Sequence, residues 1–421
     1  MSGVIKNVPE LRFPEFGGKW QLSKLGDVTE YTKGFAFKSE SYRSSGVRVV
    51  RVSDLGADKI KNLSEAVFVS DKDVSKAEKY VIHKDNIIIT TVGSRPELLE
   101  SAVGRGIYVR ADNEGLLNQN LLKLNNTNKS LNGFVIGYIN SPRYIDFISS
   151  IQRGNANQSN ITVKDLFEFD ISIPCIDEQQ KIADFLSSVD KKIEQLTEKH
   201  RLLTEYKKGV MQQIFTQQIR FKENHGNDYP EWEEISLKEL LVTVVDNRGK
   251  TPPVSNDAQN IPLIEVNAIG GKKVNYSKVS KYVTSKVYSE WFRKHLEVGD
   301  ILFSTVGQTA ICSFFDGSKK AAIAQNIVGL RFSPESEKVF MFYLLTYKPN
   351  NNQFKKIEMI AVQPSVKVSQ MIHINFSIPM KEEQQKIANF LTAIDQKIDQ
   401  AWLTLEQTKA FKKGLLQKMF V

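Results

Sequence analysis

Two long stretches of the chain repeat apolar residues at alternating steps of four and three, which is the pattern of a coiled-coil helix. The first stretch lies within 173–218 and the second within 378–421. The seam residues of the first are Ile182, Leu186, Val189, Ile193, Leu196, Leu203, Val210 and Ile214. Those of the second are Ile387, Leu391, Ile394, Ile398, Ala401, Leu405, Leu415 and Met419. A helix from Glu178 to Phe215 is about 57 Å long at 1.5 Å per residue.

The length and spacing of these two helices indicate how they are buried. Neither has an equally long partner elsewhere in the sequence, so we expect them to pack on each other. A globular region lies between them, which favours an antiparallel pair. The alternative is two amphipathic helices, each buried against its own domain. The unbroken seam argues against that alternative, because a helix on a globular surface has a wider and less regular apolar stripe.

The remaining regions mix short β-branched runs with helical periodicity. Strands are predicted at Val47–Val52, Asn86–Val92, Ile261–Val266 and Ile301–Val306. Helices are predicted at Phe134–Ile151 and Val339–Tyr347. The predicted fold class is therefore α+β, with two similar globular domains separated by two long helices.

The long helices belong to an internal repeat. The segment Ile171–Phe215 aligns without a gap on Phe376–Phe420, with 20 of 45 positions identical. The similarity extends upstream, where Asn86–Gly93 (NIIITTVG) matches Asp300–Gly307 (DILFSTVG). The copies agree in their apolar frame and differ at most polar positions. This pattern predicts one fold that presents two different polar surfaces.

The beginning of the chain resembles the segment that follows the first repeat. Arg12-Phe13 matches Arg220-Phe221, and the second repeat ends one residue before the chain stops. The order of domain, helix, domain, helix therefore predicts pseudo-two-fold symmetry within one polypeptide. The predicted boundaries are 1–172 for the first domain, 173–218 for the central helix, 219–377 for the second domain and 378–421 for the final helix.

The charge distribution changes this picture by indicating a partner. The 421 residues carry a formal net charge of +9, and the sequence pI is about 9.1. Residues 177–215 hold seven acidic and seven basic side chains, and 381–421 hold five and seven. A charge of roughly +7 therefore belongs to the globular regions. This favours contact between those regions and a polyanion such as nucleic acid.

The cysteines and the apolar runs bear on the compartment. Cys175 and Cys312 show no metal-ligand spacing, and we expect two free, buried thiols in a reducing cytoplasm. Residues 1–10 lack the apolar core of a signal peptide. No run of about 18 apolar residues predicts a membrane-spanning helix. We therefore expect a cytoplasmic protein without membrane contact.

The sequence carries no recognisable catalytic motif. Pro252-Pro253 follows Thr251 and precedes Val254, so the Asn/Asp-Pro-Pro-aromatic motif of adenine methyltransferases is absent. There is no phosphate-binding G-x-x-x-x-G-K-[ST] run, and the five histidines are scattered singly. We expect no catalysis and no metal in this chain. A stand-alone DNA-binding regulator or a non-catalytic adaptor remains an alternative, although no helix-turn-helix or zinc finger supports a regulator.

The repeated motif resembles that of the specificity subunits of type I restriction-modification systems. Ile173-Pro174 is followed by Glu178–Ala183 (EQQKIA), and the same run recurs at Ile378-Pro379 and Glu383–Ala388. Supporting matches are Pro9–Val28 (PELRFPEFGGKWQLSKLGDV), Arg51–Leu55 (RVSDL) and Arg248–Pro253 (RGKTPP). The resemblance covers essentially the whole chain.

The resemblance implies a function that the composition alone does not. Each globular region would be a target-recognition domain that reads one half of a split site in double-stranded DNA. The helices would form an antiparallel coiled coil that fixes the gap between the halves. Two modification subunits would dock on the framework of helices and domains, and two restriction subunits would join them. S-adenosylmethionine, ATP and Mg are expected on those partner subunits, and no cofactor is expected on this chain.

Candidate DNA contacts are polar and basic side chains in the globular regions, because base edges and phosphates are read by such groups. In the first domain they are Lys33, Lys38, Arg51, Ser94, Arg95, Arg105, Arg153, Asn155, Asn157 and Gln158. In the second they are Arg248, Lys250, Lys272, Lys273, Gln308, Lys319, Lys320, Lys355 and Lys356. Taken alone, each of these is more often a solvated surface group. Gln158 matches Gln363 in the repeat, which also allows a structural role for both.

Overall fold

The computed structural model describes residues 8–61, 65–70, 72, 77–98, 102–155, 158–247, 250–359 and 362–421. The chain divides into two compact units. Unit 1 comprises Met1–Glu198 and Trp402–Val421, and unit 2 comprises Lys199–Ala401. Each unit therefore contains one globular region together with part of each long repeat helix.

Unit 1 combines small sheets with short helices. Its strands are β1 (Gln21–Lys24), β2 (Glu30–Lys33), β3 (Val47–Val50), β4 (Val67–Val69), β5 (Ile87–Thr90), β6 (Val92–Gly93), β7 (Gly106–Tyr108), β8 (Leu116–Leu117), β9 (Leu121–Asn125), β10 (Arg153–Asn155), β11 (Gln158–Asn160) and β12 (Asp170–Ile173). Its helices are α1 (Leu25–Val28), α2 (Asn132–Val135), α3 (Pro142–Ile151) and α4 (Val163–Leu166), followed by the first long helix, α5 (Ile176–Phe215). The largest sheet is antiparallel with the order β2-β9-β5-β7.

Unit 2 repeats this arrangement. Its strands are β13 (Glu233–Ser236), β14 (Leu241–Val245), β15 (Ile261–Ile264), β16 (Tyr282–Val283), β17 (Ile301–Ser304), β18 (Cys312–Phe314), β19 (Ala322–Ile323), β20 (Ile327–Phe332) and β21 (Asn375–Ile378). Its helices are α6 (Leu237–Leu240), α7 (Ser285–Trp291), α8 (Lys338–Thr346), α9 (Lys348–Lys356) and α10 (Val368–Met371), followed by the second long helix, α11 (Lys381–Met419). The largest sheet is again antiparallel, with the order β14-β20-β17-β18.

The smaller sheets of the two units also correspond. In unit 1, β3 pairs antiparallel with β4 and parallel with β8. In unit 2, β15 pairs antiparallel with β16 and parallel with β19. The pair β1 and β12 leads into α5, and the equivalent pair β13 and β21 leads into α11. The predicted α+β class with two similar regions is confirmed.

The long helices meet in each unit with opposite ends. In unit 1, Ile182 and Leu186 of α5 share an apolar core with Leu415 and Met419 of α11. In unit 2, Ile214 of α5 shares a core with the first turns of α11. The beginning of one helix thus packs with the end of the other, which confirms the antiparallel pair. Every predicted seam residue is buried or partly buried.

The same cores include side chains of the globular regions, so the alternative of burial against a domain is also partly realised. The core of unit 1 joins the helix residues to Phe134 and Ile171, for example. The core of unit 2 joins them to Phe340 and Phe376. The seam is therefore an apolar surface that the two helices and the adjoining domain share.

One ion pair links the helices at the equivalent place in each unit. Asp190 pairs with Lys412 in unit 1. Lys207 pairs with Asp395 in unit 2, with 2.6 Å between nitrogen and oxygen. The repeat offset of 205 residues converts Asp190 into Asp395 and Lys207 into Lys412, so these are two copies of one contact.

The EQQKIA motif is explained by buried contacts at the start of each long helix. The Glu178 carboxylate is buried and accepts hydrogen bonds from Arg12, at 2.7 Å to both Nε and Nη2, and from the Trp20 indole at 3.3 Å. Glu383 repeats this with Arg220 and Trp232. Each glutamate therefore has buried hydrogen-bond partners, in addition to the favourable position of a negative charge at a helix start.

The glutamine that follows each glutamate is also buried. Gln179 accepts a hydrogen bond from the Leu131 amide at 2.9 Å and donates to the Pro174 carbonyl at 3.0 Å. Gln384 accepts from the Glu337 amide and donates to the Pro379 carbonyl. The motif therefore ties the domain, the strand that precedes the helix, and the helix together.

Several predicted element boundaries change. The strands predicted at Val47–Val52, Ile261–Val266 and Ile301–Val306 each end two residues earlier. The strand predicted at Asn86–Val92 is divided into β5 and β6, and the helix predicted at Phe134–Ile151 is divided into α2 and α3 by a turn.

Two other expectations bear on the thiols and the membrane. Cys312 is buried, but Cys175 is exposed, so the expectation of two buried thiols was wrong for Cys175. It occupies the loop between β12 and α5 instead of a core strand. None of the described helices is long and apolar enough to cross a membrane.

Candidate nucleic-acid interface

The Thr-Val-Gly run of unit 1, residues 91–93, consists of a bend at Thr91 and the short strand β6, and it lies at the end of strand β5 of the largest sheet. We name it TVG turn 1. The Thr91 amide donates a hydrogen bond to the Asn120 carbonyl at 2.9 Å, and the Ile161 amide donates to the Thr91 carbonyl at 3.0 Å. The turn is therefore fixed both to the strand region before β9 and to the segment after β11.

The equivalent run of unit 2, residues 305–307, is TVG turn 2. The Thr305 amide donates to the Asn326 carbonyl at 2.8 Å, and the Val366 amide donates to the Thr305 carbonyl at 2.8 Å. The Gly307 amide donates to the Pro364 carbonyl at 2.8 Å. Both turns are thus held by the same pattern of main-chain bonds, although the side chains around them differ.

Several candidate contacts of unit 1 gather around TVG turn 1. Strand β11 pairs with β6, which brings Gln158 next in register to Ser94. On its other side β11 pairs with β10, which places Arg153 opposite Asn160. Lys33 is the last residue of β2 and lies at the same end of the sheet, because it is opposite Leu122 of β9. The strand register therefore brings segments that carry these polar groups to the same region of unit 1, which a sequence pattern alone could not show.

The other candidates of unit 1 are placed as follows. Arg95 and Lys38 are exposed, and Arg105 is about half buried, which lowers the pKa of its guanidinium. Arg51 pairs with the buried carboxylate of Asp54 at 3.2 Å, so it holds its own loop. Asn155 belongs to β10 by its main chain, and Asn157 lies outside the described residues.

Arg153 is also partly engaged. It pairs with Asp165 at 2.9 Å, with two-thirds of its side chain exposed. An exposed pair of this kind contributes little to folding stability, so a phosphate can compete for the guanidinium.

In unit 2, Gln308 and Lys355 meet beside TVG turn 2. Gln308 follows the turn directly and its side chain is exposed. The Lys355 ammonium donates to Thr309 Oγ1 at 2.7 Å and lies 3.6 Å from the Glu358 carboxylate. The Glu358 carboxylate also accepts a hydrogen bond from Thr309 Oγ1. Lys356, next along α9, is exposed.

A second basic group of unit 2 lies around β18. Lys273 pairs with Asp316 at 3.0 Å. The hydrogen bonds from Ser318, together with this lysine, lower the pKa of Asp316 to about 2. Lys319 lies over the Tyr276 ring at 5.4 Å and Lys320 over the Tyr288 ring at 4.3 Å.

The remaining candidates of unit 2 are placed as follows. Lys272 reaches Asp395 of α11 at 3.4 Å, which makes it a contact between domain and helix. Lys250 is exposed in the segment after β14, and Arg248 lies outside the described residues.

The sequence reasoning missed the residues that support TVG turn 2. Thr309 is 2% exposed, and the side chain of Glu358 is about one-sixth exposed. The Thr309 hydroxyl binds both Glu358 and Lys355, and the latter contact joins the turn to α9. Asn351 donates from its amide to the Ala310 carbonyl at 2.6 Å. The signal that could have found them is the repeated Thr-Val-Gly run, which marks where support is needed.

Two further kinds of site, a metal site and a ligand cavity, can be examined in the described residues. Within them, no group of three or more His, Cys, Asp or Glu side chains could hold a metal ion. Unit 1 has an open cavity of about 1150 Å³ next to α5 and α11, lined by both charge types, for example Asp184, Glu194, Lys409 and Lys413. None of the candidate DNA contacts lines it.

Comparison with known proteins identifies the repeated domain. A family model described as the type I restriction modification DNA specificity domain matches residues 17–204 and again residues 229–406. The chain belongs to this family of type I restriction-modification specificity subunits. The two matches cover most of the chain and contain both TVG turns.

Relatives of specificity subunit type match along nearly the whole length. Two chains of Methanocaldococcus jannaschii, named as the MjaX and MjaVIII type I restriction enzyme specificity subunits, are 25% and 24% identical to this chain. Each match covers 98% of this chain, and 95% and 93% of the relatives.

Solved structures agree with the fold. A crystal structure of a type I restriction-modification system S subunit from M. genitalium aligns with a TM-score of 0.61 and 16% identity, over 98% of this chain and 99% of that one. A chain from a structural study of complex assembly and conformational transition of the type I system aligns with a TM-score of 0.53 and 18% identity, over 95% and 97%.

Proposed function

We propose that each unit of this specificity subunit reads one half of a split site in double-stranded DNA. The observation that carries the proposal is the pair of TVG turns. Both are fixed by equivalent main-chain hydrogen bonds, yet Ser94 follows one turn and Gln308 follows the other. A rigid scaffold that carries different polar groups in two copies suits the reading of two different half-sites, since base edges are distinguished by hydrogen-bonding groups.

The basic groups around the turns supply the second requirement of DNA binding. Phosphate contacts position a protein on the duplex, and base contacts specify the sequence. Arg153 of β10 in unit 1 is an exposed cation, and so are Lys356 of α9 and Lys273, which is bridged to β18, in unit 2. They suit phosphate contact, whereas Gln158, Ser94 and Gln308 suit base edges.

We further propose that the chain acts as the non-catalytic subunit of a larger complex. Two modification subunits would dock on the helices and domains, one at each copy of the repeat, and two restriction subunits would join them. S-adenosylmethionine, ATP and Mg would be bound by those partners. The internal repeat supports two docking places, because equivalent residues recur in α5 and α11. The complex would work in the cytoplasm, where the DNA is accessible.

A domain replacement tests the proposal. Residues 30–150 are exchanged for the counterpart from a related subunit, and the complex with its modification subunit is expressed in cells. Methylome sequencing should show one half of the methylated motif changed and the other retained. A change in both halves would contradict reading by separate units.

The matched exchange of residues 245–365 should change the other half only. In vitro, the purified chain with S-adenosylmethionine and no other protein serves as the control for catalysis. We expect no methyl transfer, and measurable transfer would overturn the non-catalytic role.

A further inference from the structure

The two TVG turns belong to loops of very different length that are closed by the same hydrogen bonds. In unit 2, Ala310 donates its amide to the Ser304 carbonyl at 2.9 Å, which closes a loop with only residues 305–309 between them. In unit 1, Gly104 donates to the Thr90 carbonyl at 2.9 Å and closes a loop of residues 91–103. The closing points are equivalent, so unit 1 carries eight additional residues at this place.

A side-chain hydroxyl supports the same closure in both units. Ser304 Oγ accepts the Ile311 amide at 2.8 Å and donates to the Gln308 carbonyl at 2.5 Å. In unit 1, Thr90 Oγ1 accepts the Arg105 amide at 3.0 Å. The hydroxyl therefore holds the loop base in both copies, and what varies between them is the loop tip.

The short loop of unit 2 is held in one conformation from several sides. Gly307 and Ala310 adopt positive φ angles of 79° and 59°, and for alanine such a backbone is kept only where the surroundings enforce it. The Asn351 amide binds the Ala310 carbonyl. Thr309 is only 2% exposed, and its hydroxyl binds both Lys355 and Glu358.

This support leaves one polar side chain directed outwards. Gln308 lies between Gly307 and the buried Thr309, and it is exposed. Within the described part of the chain, no group hydrogen-bonds its side-chain amide. A carboxamide offers one acceptor and one donor side by side, which matches N7 and N6 of adenine in the major groove.

We infer that Gln308 is a specificity-determining residue that reads one A·T pair of the half-site recognised by unit 2. Thr309, Glu358 and Lys355 are positioning residues that hold its backbone. This inference rests on the proposed reading of DNA by each unit, and it specifies where in unit 2 that reading occurs.

The test uses the whole complex, with the modification subunit supplied, and measures methylation at every genomic variant of the motif. Gln308→Ala should relax one position of one half-site. The preference for the correct base over the other bases at that position should fall by a factor of about 5 to about 150, the range expected for loss of a bidentate base contact. The other half-site and the spacing should remain as in the wild type. Full discrimination at all positions would overturn the inference.

Two further variants separate base reading from a general loss of structure. Gln308→Glu replaces the donor by an acceptor, so it should shift preference at the same position towards a C·G pair, because glutamate accepts from cytosine N4. Gln259→Ala removes another exposed glutamine of unit 2 and should leave the motif unchanged. A relaxation by Gln259→Ala equal to that of Gln308→Ala would also count against the inference.

Thr309→Val tests the positioning residues. It keeps the size of the side chain and removes the hydroxyl that Lys355 and Glu358 bind. Relaxation should occur at the same position as in Gln308→Ala, with unchanged methylation of the other half. Relaxation elsewhere would show that the network does not act through Gln308.

The domain exchange distinguishes failure of this inference from failure of the proposed function. If exchange of residues 245–365 changes one half-site and the Gln308 variants change nothing, unit 2 reads DNA through other residues. If the exchange also leaves the motif unchanged, the proposed reading by separate units is wrong.

Discussion

A buried carboxylate connects each domain of this protein to the long helix that follows it. Glu383 is fully buried and binds Arg220 and the Trp232 indole, and Glu178 does the same with Arg12 and Trp20. The neighbouring Glu382 lies in the same first turn of α11 but is exposed. The pair Glu383 and Glu382 therefore separates the effect of a buried ion pair from the effect of negative charge at a helix start.

We expect Glu383→Ala to lower the free energy of unfolding by about 3–5 kcal/mol, because it removes the buried partner of Arg220 and leaves the exposed Glu231 as the remaining ion-pair partner. Glu382→Ala should cost no more than about 0.3–1 kcal/mol, the worth of a charge in a helix first turn. Urea denaturation followed by tryptophan fluorescence measures both. Equal losses in the two variants would mean that the helix start, and not the ion pair, explains the motif.

At this scale the sequence predicted residue types better than residue roles. The EQQKIA motif was evident from its repetition, but its partners Arg12 and Arg220 lie more than 160 positions away. Lys272 shows the same difficulty, since its partner Asp395 belongs to a different element. Exposed basic residues look alike in a sequence, and only the fold shows which of them already have a counter-charge.

The long helices are the elements that the sequence described best. Their heptad pattern is local, so the seam could be read directly, and all the predicted seam residues are at least partly buried. The strands were harder, because a strand is defined by its pairing. The parallel pairs β3 with β8 and β15 with β19 join segments far apart in the sequence. The Thr-Val-Gly runs were visible in the repeat, but the sequence assigned them to the ends of predicted strands.

The ion pair between α5 and α11 should make the stability of the folded protein depend on pH. Asp395 of α11 binds Lys207 of α5 at 2.6 Å and the Tyr343 hydroxyl at 2.6 Å. Burial alone would raise the pKa of this carboxyl, but the hydrogen bonds from Lys207 and Tyr343 outweigh it, and the pKa is lowered from its ordinary value of 3.8. Folding therefore favours the charged form of Asp395.

We expect Asp395→Asn to lower the melting temperature at neutral pH. A carboxyl whose folded pKa is depressed contributes stability above its unfolded pKa and loses it as the pH falls through the folded pKa. The difference between wild type and variant should thus be constant down to about pH 4 and shrink at lower pH. Thermal denaturation between pH 7 and pH 2.5 measures it.

The control for this prediction is Asp399→Asn, which changes an exposed carboxylate one turn further along α11. It should have little effect at any pH, since exposed ion pairs and charges contribute little. A loss by Asp395→Asn that stays the same at pH 2.5 would show that packing around the side chain, and not its charge, is responsible.

At the scale of the whole molecule, the two helices are the parts that both compact units share. Residues 176–198 of α5 belong to unit 1 and residues 199–215 to unit 2, and α11 is divided in the same way at 401. If each unit reads one half-site, the helices are the natural candidates for setting the number of unread base pairs between the halves. Changing their length should then change the spacing of the DNA motif.

We expect insertion of one helical turn in both helices, after Leu196 and after Ala401, to lengthen the spacer of the recognised site. Four residues add about 6 Å at 1.5 Å per residue. At about 3.4 Å per base pair this corresponds to one to two base pairs. The half-sites themselves should remain unchanged, because the insertions lie outside both globular regions. Methylome sequencing of cells that express the variant with its modification subunit measures the spacer.

The rotation of DNA limits how well such a variant can work. One to two additional base pairs turn the second half-site by roughly 35–70°, taking 10–10.5 base pairs per turn. An insertion of four residues also locally unwinds a coiled coil, so the seam has to absorb part of that rotation. We therefore expect reduced methylation at the longer site. Insertion in α5 alone is the control, since it shifts the Asp190–Lys412 and Lys207–Asp395 pairs out of register and should abolish activity. An active double variant that keeps the original spacer would show that the helices dock partners without setting the distance between half-sites.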